Sequence, residues 1–357
     1  MEGPPVACYA AWSSGEGTHV PVGYQRQPII GNIQALRAIA AMMVMSMHAF
    51  HVPRVDGAWL TRLPDLGHMG ADIFFVISGF IITKTAMSMA AADDSGRLRL
   101  SGAFALHRIA RIYPLFWIVL AVGVALHGNS EIVAEPGKVL LLHAPEHTVP
   151  VMWTLTFELY FYLVASLALL IMPRQFAWFL AIWVVAQALF VLFHGPWILR
   201  FPVSFEFTFG ATAALLVRDG RLRCYGLSLA LGAIGFVGSI AVVFLVNHPA
   251  SLSWRLIWFG VPAVLLLYGL VGLEVEGRFM LPAWLQRRGT ESYSLYLWHY
   301  IIVGLVHQLG LGNVLVEAAI AIPVSLSAAW VSYRLIERPF IRMAHNIRFG
   351  GPAVILT

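Results

Sequence analysis

Arg37 and His48 stand eleven residues apart in one apolar run, Ile33–Phe50. On a helix rising about 1.5 Å per residue they lie roughly 16 Å apart along the axis. An ionisable side chain is costly in hydrocarbon, so its presence there points to function. A guanidinium suits an anionic ligand, whose oxygens its planar fork can bind in pairs. An imidazole suits proton transfer to or from a hydroxyl. Such a helix could hold an anion at one end and do acid–base chemistry at the other. Arg108 and Arg111 are three residues apart, share a helix face and can converge on one ligand. Asp72 and Glu158 are carboxylates in apolar surroundings, of the kind that fix a histidine tautomer and steady its imidazolium.

The elements that carry these residues are membrane helices. The chain is 59% hydrophobic and only 11% charged, with a mean hydropathy of +0.77, whereas a soluble domain carries about 25% charge. The apolar runs are long and continuous, which excludes a porin-like barrel of short alternating strands. An all-α polytopic transmembrane bundle of about ten spans is expected. The spans fall near 30–51, 68–90, 103–127, 150–172, 175–194, 201–217, 225–246, 254–273, 290–309 and 313–337. Residues 1–28 read as a loose polar tail without a signal peptide, 29–342 as the membrane domain and 343–357 as a second tail. No repeat and no appended soluble domain is evident.

Lysine and arginine set the orientation. Eighteen fall on one side of the ten-span arrangement and five on the other, which accounts for all 23. Both termini are therefore expected in the cytoplasm. The same bias explains the basic balance without nucleic acid as a partner. Cys8 and Cys224 form neither a plausible disulfide nor a metal spacing. His143 and His147 lie four apart in an outer loop without a third ligand, so no metal is expected.

In this topology the polar groups sort into two layers. Arg37, Arg108 and Arg111 belong to the inner half; His48, Asp72 and Glu158 belong to the outer half. Each also has a plainer reading. An arginine at a span end can snorkel, a lone histidine can bridge two helices, and a glutamate can be neutralised by hydrogen bonds. Glu206 and Glu317 lack suggestive neighbours and are read as structural.

Several of these residues stand inside longer phrases. Gln34-Ala-Leu-Arg37 followed by His48, Gly70-Ala-Asp72 through Ser78-Gly79-Phe80, Arg108-Ile-Ala-Arg111-Ile-Tyr113-Pro114, Trp153 through Glu158 to Tyr162, Ser292 through His299, and Glu337-Arg338-Pro339 succeed one another along the chain. Together they resemble, in order, the signatures of the acyltransferase 3 family of membrane acyltransferases. The stand-alone membrane domain most resembles the exopolysaccharide-production (ExoZ-like) branch. Ala71 departs conservatively from the valine expected in the second phrase.

The resemblance implies transfer of an acyl group, usually acetyl, from cytoplasmic acetyl-CoA to a hydroxyl. The implied acceptor is a bacterial polysaccharide or its lipid-linked oligosaccharide precursor. It also implies residence in the bacterial inner membrane, among membrane lipids and beside polysaccharide synthesis or export machinery. His48 would be the catalytic histidine, with Glu158 or Asp72 orienting it. Arg37, Arg108 and Arg111 would be the arginines of the donor site, with Ser78 and Tyr113 beside them. Ser78, Tyr113 and Trp153 are the candidates for stabilising the oxyanion, and a covalent acyl-histidine relay stays open. Two other readings share the composition: an acyltransferase for a small molecule such as a macrolide, and a glycan or lipid transporter.

Overall fold

The computed structural model describes residues 30–50, 66–92, 96–127, 135–142, 151–194, 198, 201–245 and 255–346. Every regular element among them is helical. In chain order these are α1 (Gly31–Ala49), α2 (Gly67–Ala92), α3 (Arg97–His127), the single turn α4 (Pro136–Val139), α5 (Trp153–Ile171), α6 (Phe176–Leu192), α7 (Pro202–Asp219) and α8 (Tyr225–Leu245). A π-helical turn, Leu256–Gly260, leads into α9 (Val261–Val275), followed by α10 (Ala283–Thr290) and α11 (Ser292–Gln308). The chain closes with α12 (Val314–Ser332), a second π turn (Tyr333–Glu337) and α13 (Arg338–Asn346).

Each expected span contains a helix, but among the described residues six helices are long and apolar enough to cross a membrane. These include α2, α3, α5, α8, α9 with its π turn, and α12 continued through α13. α6 is apolar but shorter. The other three, α1, α7 and α11, carry polar side chains into the interior: Asn32, Gln34 and Arg37; Ser204, Glu206 and Thr208; Ser292, Ser294 and His299. On the peripheral helices α6, α8 and α12 large apolar side chains such as Leu192, Ile234 and Leu315 are exposed, as a lipid-facing surface requires.

α1 lies against α2, α10 and α11 and is buried along most of its length. The residue before it, Ile30, has no side-chain oxygen to cap the first N–H groups, which would otherwise stay unsatisfied. Glu274, in the last turn of α9, supplies the cap from across the fold. Gly31 N–H donates to its Oε1 at 2.7 Å and Asn32 N–H to its Oε2 at 2.6 Å. Asn32 then ties the same end to the chain beyond α9. Its amide donates to the carbonyls of Leu270 (2.8 Å) and Phe279 (3.0 Å) and accepts from Leu281 N–H (2.7 Å). Gly289 of α10 packs so closely that a Cβ there would overlap the Gln34 carbonyl.

α2 and α7 meet through a reciprocal pair of glycines. A Cβ on Gly79 would strike the Phe207 carbonyl, and one on Gly210 would strike the Val76 carbonyl. Small residues let membrane helices approach closely where hydrophobic burial gives no preference of protein over lipid. Beside this contact, Phe161 of α5 stacks on Phe207 with ring centroids 3.8 Å apart.

The cap at Gly31 yields a test. Glu274→Ala removes the acceptor for two buried N–H groups, at a cost of about 1–3 kcal/mol for each. Thermal unfolding of the detergent-solubilised protein should show a lowered transition.

Candidate functional site

Eleven residues make about three turns, so Arg37 and His48 project from the same face of α1. Around Arg37 is a cavity lined by side chains of α1 and five other helices, α7 among them through Phe207. Arg37 comes from α1, Ser78 from α2, Arg108 and Arg111 from α3, Thr154 and Glu158 from α5, and Tyr293 and Tyr296 from α11. Arg37 is buried and donates to Gln34 Oε1 at 3.3 Å. Arg108 is buried with its guanidinium 5.3 Å from the Phe104 ring centroid and 5.6 Å from that of Tyr162, within cation–π range of both rings. Its Nε and Nη2 find no hydrogen-bond acceptor among the described residues. Tyr293 hydroxyl donates to the Ile112 carbonyl at 2.7 Å and braces α3 beside Arg111.

Two carboxylates face the three guanidiniums. Glu158 accepts from the Tyr162 hydroxyl at 2.5 Å and lies within electrostatic range of Arg37, Arg108 and Arg111. Glu337, from the second π turn, accepts from Ser294 Oγ at 2.7 Å and interacts with Arg111 and Arg37. With both carboxylates ionised, these five groups keep one positive charge in excess. A buried charge without a partner is expensive, and the arrangement favours an anionic ligand.

The expected outer layer is corrected here. Glu158 belongs with the arginines, because it lines the same cavity as Arg37, Arg108 and Arg111. Asp72 is held by Arg255 rather than by His48. Arg255 Nε donates to Asp72 Oδ1 at 3.0 Å, and its Nη2 donates to Asp72 Oδ2 at 3.2 Å. Glu206 completes that group from α7: it is fully buried and interacts with both Asp72 and Arg255. No sequence pattern pairs residues 183 positions apart.

Tyr113 turns away from the cavity. It comes two residues after Arg111, about 200° around the helix, and its hydroxyl donates to the Leu140 carbonyl at 2.8 Å. Trp153 is packed among Phe75, Phe157 and Phe201, with centroids 5.6–6.1 Å away. Ser78 does line the cavity. His143 and His147 lie outside the described residues.

At the other end of α1, His48 meets a second histidine. His48 Nδ1 lies 2.9 Å from the Val44 carbonyl and 3.2 Å from His299 Nε2. His299 is buried in α11, and its own Nδ1 is 3.0 Å from the Leu295 carbonyl. The two rings are 5.0 Å apart, and Tyr300 packs edge-on to His48 at 5.4 Å. Tyr296 connects the two regions. It lines the arginine cavity, lies 5.8 Å from His299 by ring centroid, and its hydroxyl meets Thr154 Oγ1 at 2.8 Å. His299 and Glu337 stand inside the phrases read from the sequence, but spacing alone assigns neither to the site. For His299 the signal is an ionisable residue in an otherwise apolar span; Glu337, flanked by Arg334 and Arg338, offers no such signal.

Residues 30–334 match the family described as "Acyltransferase domain". The chain belongs to this acyltransferase family. Among similar proteins is the exopolysaccharide production protein ExoZ of Rhizobium meliloti (strain 1021), 29% identical over 321 residues, or 82% of this chain and 94% of that protein. Another is acyltransferase MdmB of Streptomyces mycarofaciens, 25% identical over 326 residues, or 78% of this chain and 80% of that protein. No solved structure matches. The chain is thus an acyltransferase with membrane-spanning helices, and it calls for an acyl donor.

The Asp72–Arg255 pair carries a prediction of its own. Asp72→Ala removes the carboxylate bonded to the Arg255 guanidinium and leaves it only the neighbouring Glu206, which should cost up to about 3–5 kcal/mol of stability. Turnover per folded molecule should persist. A loss of turnover at unchanged unfolding temperature would instead assign Asp72 to the chemistry.

Proposed function

We propose that this acyltransferase is a membrane O-acyltransferase that uses a cytoplasmic acyl-CoA, read as acetyl-CoA, as its donor. The acceptor is a hydroxyl of a surface or exported polysaccharide or of its lipid-linked precursor. The observation that carries the donor half is Arg108. Its buried Nε and Nη2 have no acceptor among the described residues, and they stand in a cavity that already contains Arg37 and Arg111. A phosphate-bearing donor supplies the missing oxygens. Ser78 lines the same cavity and can donate to the donor's polar atoms. The name of the ExoZ relative supports a polysaccharide acceptor.

The remaining arrangement comes from charge and length. Ten spans across 29–342, with the tails 1–28 and 343–357 and both termini in the cytoplasm, put the Gly31 end of α1 inside. The arginines then face the donor's side of the bilayer and His48 the acceptor's side. About 16 Å of helix separates Arg37 from His48, so Arg37 acts on the donor and is remote from the reacting carbonyl.

In this reading His48 is the general base. Its Nε2 takes the acceptor proton as the hydroxyl oxygen attacks the thioester carbonyl. The carbon–sulfur bond then breaks, and the departing sulfur receives that proton from the imidazolium. Hydroxyl and thioester become ester and thiol without net proton release. Glu158 holds Tyr162 and offsets the arginines instead of orienting His48.

Three measurements test this reading. His48→Ala should abolish transfer from labelled acetyl-CoA while the protein still accumulates in the membrane; retained transfer would remove His48 from the mechanism. Arg108→Ala should weaken acetyl-CoA binding about 10- to 100-fold, the loss expected for charge-assisted hydrogen bonds; unchanged affinity would make Arg108 a packing residue. A topology reporter fused after Thr357 should be active only in the cytoplasm.

A further inference from the structure

The histidine pair fixes its own protonation pattern. His48 Nδ1 faces the Val44 carbonyl at 2.9 Å, and His299 Nδ1 faces the Leu295 carbonyl at 3.0 Å. A carbonyl oxygen accepts and cannot donate, so a lone pair on either Nδ1 would point at another lone pair. Both rings therefore carry their proton on Nδ1 when neutral. His299 Nε2 is then an acceptor, and it lies 3.2 Å from His48 Nδ1. The Nδ1–H of His48 is shared between the Val44 carbonyl and the His299 ring. The one nitrogen of His48 left without a proton is Nε2.

We infer that His299 is the positioning partner of His48, accepting its Nδ1–H so that Nε2 is presented as the base. The inference rests on the reading of His48 as general base. In many hydrolytic sites a carboxylate holds the histidine in this way. Here the two carboxylates expected for that duty are bonded elsewhere, Asp72 to Arg255 and Glu158 to Tyr162. An imidazole suits the apolar interior better, because it adds no charge to the resting site. Once His48 is protonated, the bond to His299 becomes charge-assisted and strengthens. His299 thus stabilises the imidazolium when it forms while leaving the resting ring neutral. Packing adds orientation: Tyr300 meets the His48 ring edge-on, with an interplanar angle of 89°.

A plainer role for His299 is as a core histidine satisfied by Leu295. The two roles predict different outcomes for His299→Leu and His299→Gln. Gln places an amide oxygen close to the position of Nε2, whereas Leu fills the space without an acceptor. Steady-state transfer from acetyl-CoA should show kcat lowered on the order of 10²-fold in His299→Leu, with the donor KM unchanged. His299→Gln should recover part of that loss. Histidine-selective ¹⁵N NMR of the full chain in detergent gives a readout independent of turnover. The His48 signals, identified by their loss in His48→Ala, should show an unprotonated Nε2 in both the wild type and His299→Leu, because the Val44 carbonyl still holds Nδ1–H. The Nδ1 chemical shift should be displaced in His299→Leu, where the second acceptor is lost.

Unchanged kcat in His299→Leu would overturn the inference. So would equal loss in both variants with the wild-type ¹⁵N pattern retained, which would leave His299 a packing residue. An active His48→Ala would defeat the base reading instead, and the Nδ1 shift of His48 would still report on the pair.

Discussion

The geometry of this protein depends on how the Gly31 end of α1 is held. One carboxylate, Glu274, accepts the first two N–H groups of the helix. One amide, Asn32, is fully engaged by Leu270, Phe279 and Leu281. A carboxylate at a helix N-terminus meets both the unsatisfied donors and the positive end of the macrodipole. In an apolar surrounding these contacts are worth more than at a wet surface, because the alternative is an unpaired buried donor. Everything α1 presents is set from this end. Arg37 lies six residues beyond Gly31 and His48 seventeen, so a slip of one residue would rotate both by about 100°.

The second organising constraint is charge balance in a medium that tolerates little charge. Asp72 and Arg255 neutralise each other, with Glu206 adjoining. Glu337 and Glu158 offset the arginines of the cavity. The imbalance left after this pairing centres on the unsatisfied edge of Arg108. A buried polar group left unsatisfied in a stable fold needs a reason. In the proposed reading the reason is a donor that brings its own negative charge to the cavity.

Much of this is legible in the sequence, and for identifiable reasons. Arg37, His48 and the Arg108–Arg111 pair can be read because spacing on a single helix fixes their relation. The helical architecture can be read because long apolar runs admit few alternatives. Contact between helices cannot. The partner of Asp72 lies on the turn before α9, and the partner of His48 lies on α11; no periodicity links either pair. The place of Glu158 is hidden because the cavity it shares with Arg37, Arg108 and Arg111 is built from separate helices. Tyr113 misleads by adjacency: closeness in sequence to Arg111 means the opposite face of the helix. The hydropathy pattern also understates α1, α7 and α11, whose buried polar residues dilute the apolar signal.

The two π turns show how the fold delivers charge inward from otherwise apolar helices. Each adds a residue to one turn, which shifts the angular position of every later residue without ending the helix. Leu256–Gly260 begins directly after Arg255, the partner of Asp72, and ends at Gly260, against which Glu206 packs. Tyr333–Glu337 ends on Glu337, which is buried and reaches Ser294 and the arginines. Before that second turn, α12 exposes Leu315, Val324 and Trp330 at its surface. A regular helix would carry one phase from end to end. The extra residue allows an apolar, lipid-facing stretch to be continued in the same rod by an inward carboxylate. Both turns occur where a charged residue of the interior meets a helix with exposed apolar side chains.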